Sequence, residues 1–475
     1  MFYEFNSIYN YAIILAAFFL VFLFIYTKKK INLAEIIMQR YNQFNPDTPV
    51  TFKLIFPDGS EAQNRKGKPH IVINVKKWSC LFRIALLGPG DGMAIDYVKQ
   101  KIDIEGDLRY LGFLSHVDNK ESRLKEVIRQ SYLRFPIAYL LNRWHMLRYL
   151  AWSRKQARYN AEYHYGLHPD FYLYYLGPTR AYSTGFWYED TKNLEEAQKN
   201  KWEMILKKLR LTKLGLRICS TGSGFGYGEM LAAEKYGAIV DCYNTTRTQN
   251  KWLRKEIERR GLKGKVNIFD ADHRDVKKKK GYYDRLMAIE HIEHAGDLFR
   301  RKTIEGFADC LKDDGIGVIQ FLSWDLNTDV ILFTHEYLYP AVTMPPMPKI
   351  MEDLAWSGCE IQDLICARRH YHYTLNAWTD NFIKNWDKIH AIDPKFYNES
   401  FRRKWLLYLS AGSYYLVVPD ATARLYQITF TKGTTKTYPM NKEFLYDKSE
   451  STVAWVKSHP WTMDKENHWK IDKKK

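Results

Sequence analysis

Gly222, Gly224 and Gly226 stand at alternate positions, after a short apolar run and before a helical pattern. Glycine at such a turn permits positive φ and lets a ligand approach the backbone, beside the positive end of the following helix. The chemistry that suits this arrangement is nucleotide binding. A GxGxG spacing alone is shared by many turns, so its meaning comes from its surroundings. A second apolar run ends at Asn244-Thr245-Thr246, about 20 residues on, where ribose hydroxyls are usually bonded. A dinucleotide site prefers Asp or Glu there, and this chain has neither. Asp272, after a third run, can accept from an adenine amino group. Further along, Glu293 lies among apolar neighbours. Burial would raise its pKa. It can equally serve as a carboxylate at a helix N-terminus.

These residues need a scaffold, and the pattern from Leu211 onward supplies one. Apolar runs at 216–221, 238–243, 266–269, 283–289 and 316–322 read as strands. Helical patterns at 227–236, 248–260 and 298–311 alternate with them. That alternation predicts a parallel sheet with right-handed crossovers, with a ligand crevice at the carboxyl ends of the strands.

The rest of the chain is organised differently. Residues 50–75 alternate apolar and polar around turn signals at Pro57-Asp58-Gly59 and Lys66-Gly67-Lys68, predicting a small hairpin-rich sheet. Gly88, Pro89, Gly90 and Gly92 read as a loop. Residues 121–160 read as helical, with Arg and Lys mixed among Trp144, Tyr149 and Trp152. Such a stretch suits either a lipid headgroup layer or ordinary interdomain packing. Residues 8–26 are apolar and followed by Lys28-Lys29-Lys30. About 19 residues at ~1.5 Å each span roughly 28 Å, the thickness of a bilayer core. This predicts a single-pass anchor, with the main domain on the cytoplasmic or mitochondrial matrix side. A net charge of +18 points to an anionic partner, whether phospholipid, nucleic acid or an acidic protein face, or else to a solvated basic surface; no motif supports nucleic acid. The six cysteines form no CxxC pair, which argues against a disulfide framework or a metal site.

Several motifs taken in order carry a family resemblance, from about Thr51 to Gly433. They are Ile102-Asp103-Ile104-Glu105-Gly106-Asp107-Leu108, His164-Tyr165, Asp170-Phe171-Tyr172, Tyr182-Ser183 with Trp187, and Asn193 to Gln198. Glu293-His294-Ala295-Gly296, then Tyr371, Thr374-Leu375 and Trp378, then Leu425-Tyr426-Gln427 and Phe430 complete the series. The chain resembles the cyclopropane-fatty-acyl-phospholipid synthase and mycolic acid cyclopropane synthase family of S-adenosylmethionine-dependent methyltransferases. The resemblance implies a class I, Rossmann-like α/β domain with a mostly parallel sheet. It also implies a small α+β lipid-facing domain ahead of it, behind the transmembrane helix. The expected boundaries are 1–30 anchor and basic flank, 31–120 lipid-facing domain, 121–160 basic aromatic linker, 161–440 methyltransferase-like domain and 441–475 polar tail.

By resemblance, S-adenosylmethionine would be held by Tyr182, Ser183, Ser220, Gly222, Gly224, Gly226, Asn244, Thr245, Gln249, Asp272 and His273. The chemistry would be methyl or methylene transfer to an unsaturated acyl chain of a membrane phospholipid. Bicarbonate, the family's base, would fall among Glu293, Tyr371, Thr184 and Gln320, with His294 beside them. Several positions depart from the family pattern: Thr184 replaces a Cys, Gln320 a His, Ser220 the acid that faces the cofactor's amino-acid portion, and Gly166, His168 and Pro169 an Asp, a Gly and an Asn. Pro169 also replaces a residue with a backbone donor. An alternative reading is therefore a catalytically impaired relative, kept as an accessory subunit of a membrane protein complex such as a mitochondrial respiratory assembly.

Overall fold

The structure is a computed structural model that describes residues 32–44, 48–114, 136–324, 331–414, 416–417 and 423–445. The apolar run at 8–26 and most of the polar tail lie outside them. Among the described residues no helix is long and apolar enough to cross a membrane. Contacts divide the chain into two compact units, 1–140 and 141–475.

In the first unit the alternating pattern becomes a four-stranded sheet, order β2-β1-β3-β4. Its strands are β1 (Phe52–Ile55), β2 (Glu61–Gln63), β3 (Ile71–Val75) and β4 (Ile102–Gly106). The first turn signal makes the expected antiparallel hairpin of β1 and β2. The second does not, because β3 runs parallel to β1 on its other side. Asn64 explains the change. Its amide accepts from Phe52 N (2.8 Å) and donates to Val50 O (2.8 Å), satisfying β1 where the three-residue β2 stops. The expected loop at 88–92 is also revised. Pro89 opens a helix, Pro89–Val98, because its fixed φ suits a first helical turn and Gly88 takes φ 88° before it.

The second unit is built on a seven-stranded sheet, order β10-β11-β9-β8-β5-β6-β7. Strands β5 (Arg217–Thr221), β6 (Ile239–Tyr243), β7 (Val266–Phe269), β8 (Tyr283–Ile289) and β9 (Leu311–Trp324) are parallel. β11 (Ala423–Lys432) pairs antiparallel with β9, and β10 (Cys359–Cys366) antiparallel with β11. The chain moves outward from β5 to β6 and β7, then returns to β8 on the other flank of β5. That reversal opens a crevice at the carboxyl ends of β5 and β8. Ile218 and Cys219 enter different apolar clusters, so successive residues of β5 point to opposite buried faces.

The helices that frame the crevice are α1 (Arg154–Tyr165), α2 (Pro169–Leu176), α3 (Leu194–Lys208), α4 (Tyr227–Tyr236), α5 (Arg247–Arg259), α6 (Arg368–Lys384) and α7 (Glu399–Tyr414). Pro169 sits in the first turn of α2 beneath the cap His168, where no backbone donor is needed. Asn193 caps α3 by accepting from Glu196 N, with acids in the first turn and lysines in the last. Helix α4 lies so close to α3 that a Cβ on Gly228 would fall 2.2 Å from Trp202 Cε3. Replacing Gly228 by Ala should therefore cost about 1–3 kcal/mol through overpacking. Denaturant unfolding checks this, and an unchanged midpoint would refute the close approach of the two helices.

Candidate active site

The turn from β5 into α4 forms the floor of a cleft of about 1200 Å³, a volume that includes its open mouth. Every residue expected to bind the cofactor lines this cleft. The three loop glycines differ in what surrounds them. Gly222 has φ 69°, and a Cβ there would fall 2.4 Å from His291 Nδ1. Gly226 has φ 71°, and a Cβ there would fall 2.5 Å from Leu253 Cδ1. Gly224 has φ 57°, and a Cβ there would meet nothing within 4 Å. Two glycines thus permit packing and the third borders open space. At the end of β6, Asn244 Nδ2 donates to Gln249 Oε1 (3.1 Å), placing neutral amides where a dinucleotide site would place an acid. Asp272 also lines the cleft, but its oxygens already accept from Arg274 Nε and Nη2 (2.7 and 2.8 Å). His273 bonds His291 (3.1 Å) beside it.

The residues implied as holders of bicarbonate do not converge on an empty position. Thr184 N (2.9 Å) and Gln320 Nε2 (2.8 Å) both donate to Oε1 of Glu290, a residue absent from the expected set. Gln320 is itself fixed by Gln427 Nε2 (2.8 Å). Glu290 lines the cleft and holds φ 51°, a conformation non-glycine residues seldom adopt. Glu293 is buried, accepts from Leu322 N (2.5 Å), and has no partner for Oε2. Burial pushes its carboxyl up to about 8. Tyr371 is buried with its pKa raised by burial, next to Tyr408. These residues therefore fit an exogenous anion poorly, because the chain's own carboxylate engages the two new donors.

Ser220 is also answered from elsewhere in the chain. Its Oγ donates to Oε1 of Glu229 (2.6 Å), a carboxylate on α4 that is 1% exposed and lines the cleft. Burial pushes Glu229 up to about 7, against the nearby charge of Lys201. Lys201, on α3, is fully buried, donates to Ser183 Oγ (2.7 Å), and sits 3.7 Å from the Trp202 ring. Burial lowers its pKa, while Glu290 and Glu229 act to raise it. Sequence reasoning missed Glu229, Glu290 and Lys201. The one signal for them was an ionisable residue on the apolar face of a predicted helix or at a strand end.

Above the floor, tyrosine hydroxyls meet. Tyr182 bonds Tyr339 (3.0 Å), Tyr408 (3.0 Å) and His164 Nε2 (2.9 Å), and Tyr165 bonds His294 Nε2 (2.9 Å). Burial holds Tyr165 and Tyr182 well above the usual phenol range, and lowers His294 to about 4. This wall is neutral and aromatic, with Trp378 5.3 Å from Tyr182. His294, Tyr165 and Tyr182 line the cleft; Glu293, Tyr371, Thr184 and Gln320 stand behind it. Such faces stabilise positive charge without supplying an anion.

A family model described as mycolic acid cyclopropane synthetase matches residues 152–424. The sphingolipid C9-methyltransferase 2 of Gibberella zeae is 29% identical over 60% of this chain and 55% of its own. The cyclopropane-fatty-acyl-phospholipid synthase of Escherichia coli K12 is 28% identical over 59% of this chain and 70% of its own. The chain spans a little over half the length of the fungal sphingolipid methyltransferases it matches. A cyclopropane synthase structure from Mycobacterium tuberculosis superposes with a TM-score of 0.53 at 21% identity, covering 58% of this chain and 98% of that one. The fold is thus that of a class I methyltransferase with a mostly parallel sheet. With the model spanning more than half of the sequence, the chain belongs to the mycolic acid cyclopropane synthetase family.

Proposed function

We propose that this protein uses S-adenosylmethionine to transfer a methyl or methylene group to a carbon–carbon double bond of a membrane lipid. The carrying observation is that one cleft joins the glycine loop and the neutral amides at the end of β6 to an aromatic wall. The open cradle at Gly224 and the unpartnered Oγ1 of Thr221 on the cleft floor suit a nucleoside-bearing cofactor. When bound, that cofactor supplies an electrophilic methyl. The chain's residues then do the rest. Tyr165 and Tyr182 present ring faces to the cation that forms when an alkene carbon takes the methyl. Glu290, oriented by Thr184 and Gln320, accepts the proton that the cation must release.

Lipid is favoured over a water-soluble acceptor by the surface near the cleft. Trp144, Leu147 and Trp152 are each more than 60% exposed, with Arg143 and Arg148 in the same stretch. Apolar residues flanked by cations suit a phospholipid surface. The apolar run at 8–26 is the reason to read the protein as membrane-held, with its main domain on the cytoplasmic or mitochondrial matrix side.

The test is a label transfer assay. Purified protein with methyl-labelled S-adenosylmethionine should label liposomes of cis-unsaturated phospholipid or of sphingolipid, the better one identifying the acceptor. Cofactor binding without label in either lipid would overturn the transfer reading. Glu290→Gln should lower the rate about 10²–10⁴-fold with cofactor affinity retained. Glu290→Ala should be partly rescued by formate; rescue of the wild type by bicarbonate would contradict the internal base.

Glu293 gives a separate expectation in stability. Its folded pKa of about 8 exceeds the ordinary carboxyl value, so the folded form keeps a proton that the unfolded chain releases. Stability therefore falls as pH rises from the ordinary carboxyl range toward 8. Glu293→Gln removes that loss, so its melting temperature should exceed the wild type's by a margin that grows between pH 5 and 8. A constant or negative margin would show that Glu293 is ionised in the fold.

A further inference from the structure

On the cleft floor, Glu229 is a carboxylate with one oxygen committed and one oxygen without a partner. Ser220 Oγ holds Oε1 at 2.6 Å, while Oε2 is buried and unpaired. A buried acceptor left open costs free energy that a matching donor would recover. The nearby charges define that donor. Lys201 is the fully buried cation at the floor, and two carboxylates, Glu229 and Glu290, lie within its electrostatic reach. At formal charge these are one cation and two carboxylates, so a further positive donor would balance the set. The ammonium of Lys201 is also spent on Ser183 Oγ, at 2.7 Å, so neither carboxylate receives it as a direct salt-bridge partner among the described contacts. Glu229 further sits in the first turn of α4, where the helix end favours an anion. The position thus suits a small cationic group carrying N–H donors.

We infer that Glu229, oriented by Ser220, receives the ammonium group at the amino-acid end of the cofactor. This rests on the proposed reading that the cleft takes S-adenosylmethionine, and assigns one end of it. The strand-end position at residue 220 carries a hydroxyl; the negative charge comes instead from the helix, nine residues on, through a serine relay. The changed residue at 220 therefore moves the countercharge without abolishing it.

Calorimetric titration of the full chain separates the possibilities, using S-adenosylmethionine and 5′-methylthioadenosine, which lacks the amino-acid end. Glu229→Gln should weaken S-adenosylmethionine about 10- to 150-fold, the range for one charge-assisted hydrogen bond, and leave methylthioadenosine within about twofold. Adding Ser220→Asp to that variant should return at least about tenfold of the lost affinity, by restoring a carboxylate at the same spot. Ser220→Ala, which keeps the charge, should weaken S-adenosylmethionine alone by about 3- to 10-fold, and remains decisive if Glu229→Gln does not fold. Equal loss of both ligands, or S-adenosylmethionine affinity unchanged in Glu229→Gln and Ser220→Ala, would overturn the assignment. A wild type that binds methylthioadenosine no more weakly than S-adenosylmethionine would also overturn it. A wild type that binds neither would remove the cofactor reading beneath it.

Discussion

Burying the ammonium of Lys201 is the constraint around which the site is organised. Moving such a group out of water costs several kcal/mol even after the protein relaxes, unless partners surround it. Here they come from four elements. Ser183, from the segment above the cleft, accepts a hydrogen bond from it at 2.7 Å; Trp202 on the same helix offers a ring face at 3.7 Å. Glu229 from α4 and Glu290 from the end of β8 supply negative charge at longer range. The same lysine therefore ties the covering segment to the floor and makes two buried carboxylates tolerable. Burial already raises both carboxyls, and without the lysine's charge they would be driven further toward their neutral forms. The cleft would then lose the charge that distinguishes it from an apolar slot.

Much of this was legible in the sequence because it is locally encoded. The glycine loop and the strand ends at Asn244 and Asp272 follow from turn chemistry and periodicity within a few residues. The predicted helix at 227–236 and strands at 266–269 and 283–289 carry the same bounds in the structure. What was not legible depends on approach between distant segments. Glu229 reads as an ordinary first-turn acid, and Glu290 as a residue ending a strand. Only the fold brings the first to Ser220 and the second to Thr184 and Gln320, whose bond to Glu290 spans 106 residues in one case. The loop at 88–92 was misread for a different reason. Glycine density outweighed Pro89, although proline in a first turn is a helix start.

The substitutions at Thr184, Ser220 and Gln320 look like losses when each is read alone. Read as one pocket, they accompany two carboxylates that arrive from neighbouring positions. Thr184 contributes its backbone N–H, which any residue but proline would retain, so a change of side chain leaves that bond in place. Gln320 supplies an amide donor to Glu290 and is held in that orientation by Gln427. A histidine would donate as a cation only when protonated, whereas an amide donates at every pH. On the proposed reading, a fixed donor stands in for a titrating one, and a tethered anion for an exchanging one.

A tethered carboxylate has a physical consequence for catalysis. An ion taken from solution loses translational freedom each time it binds, whereas Glu290 has lost it on folding. Part of the cost is visible in its backbone, held at φ 51° where a side chain is crowded. Glu293, three residues on, is pushed toward its neutral form, and Glu290 adds to that push. The two carboxyls therefore differ by environment: burial raises both, but two donors and a nearby cation oppose it at Glu290, and a single donor opposes it at Glu293. That difference needs a dry, aromatic wall, since water would level the two. Tyr182, Tyr339 and Tyr408 bond one another's hydroxyls, which leaves that part of the wall without need of water.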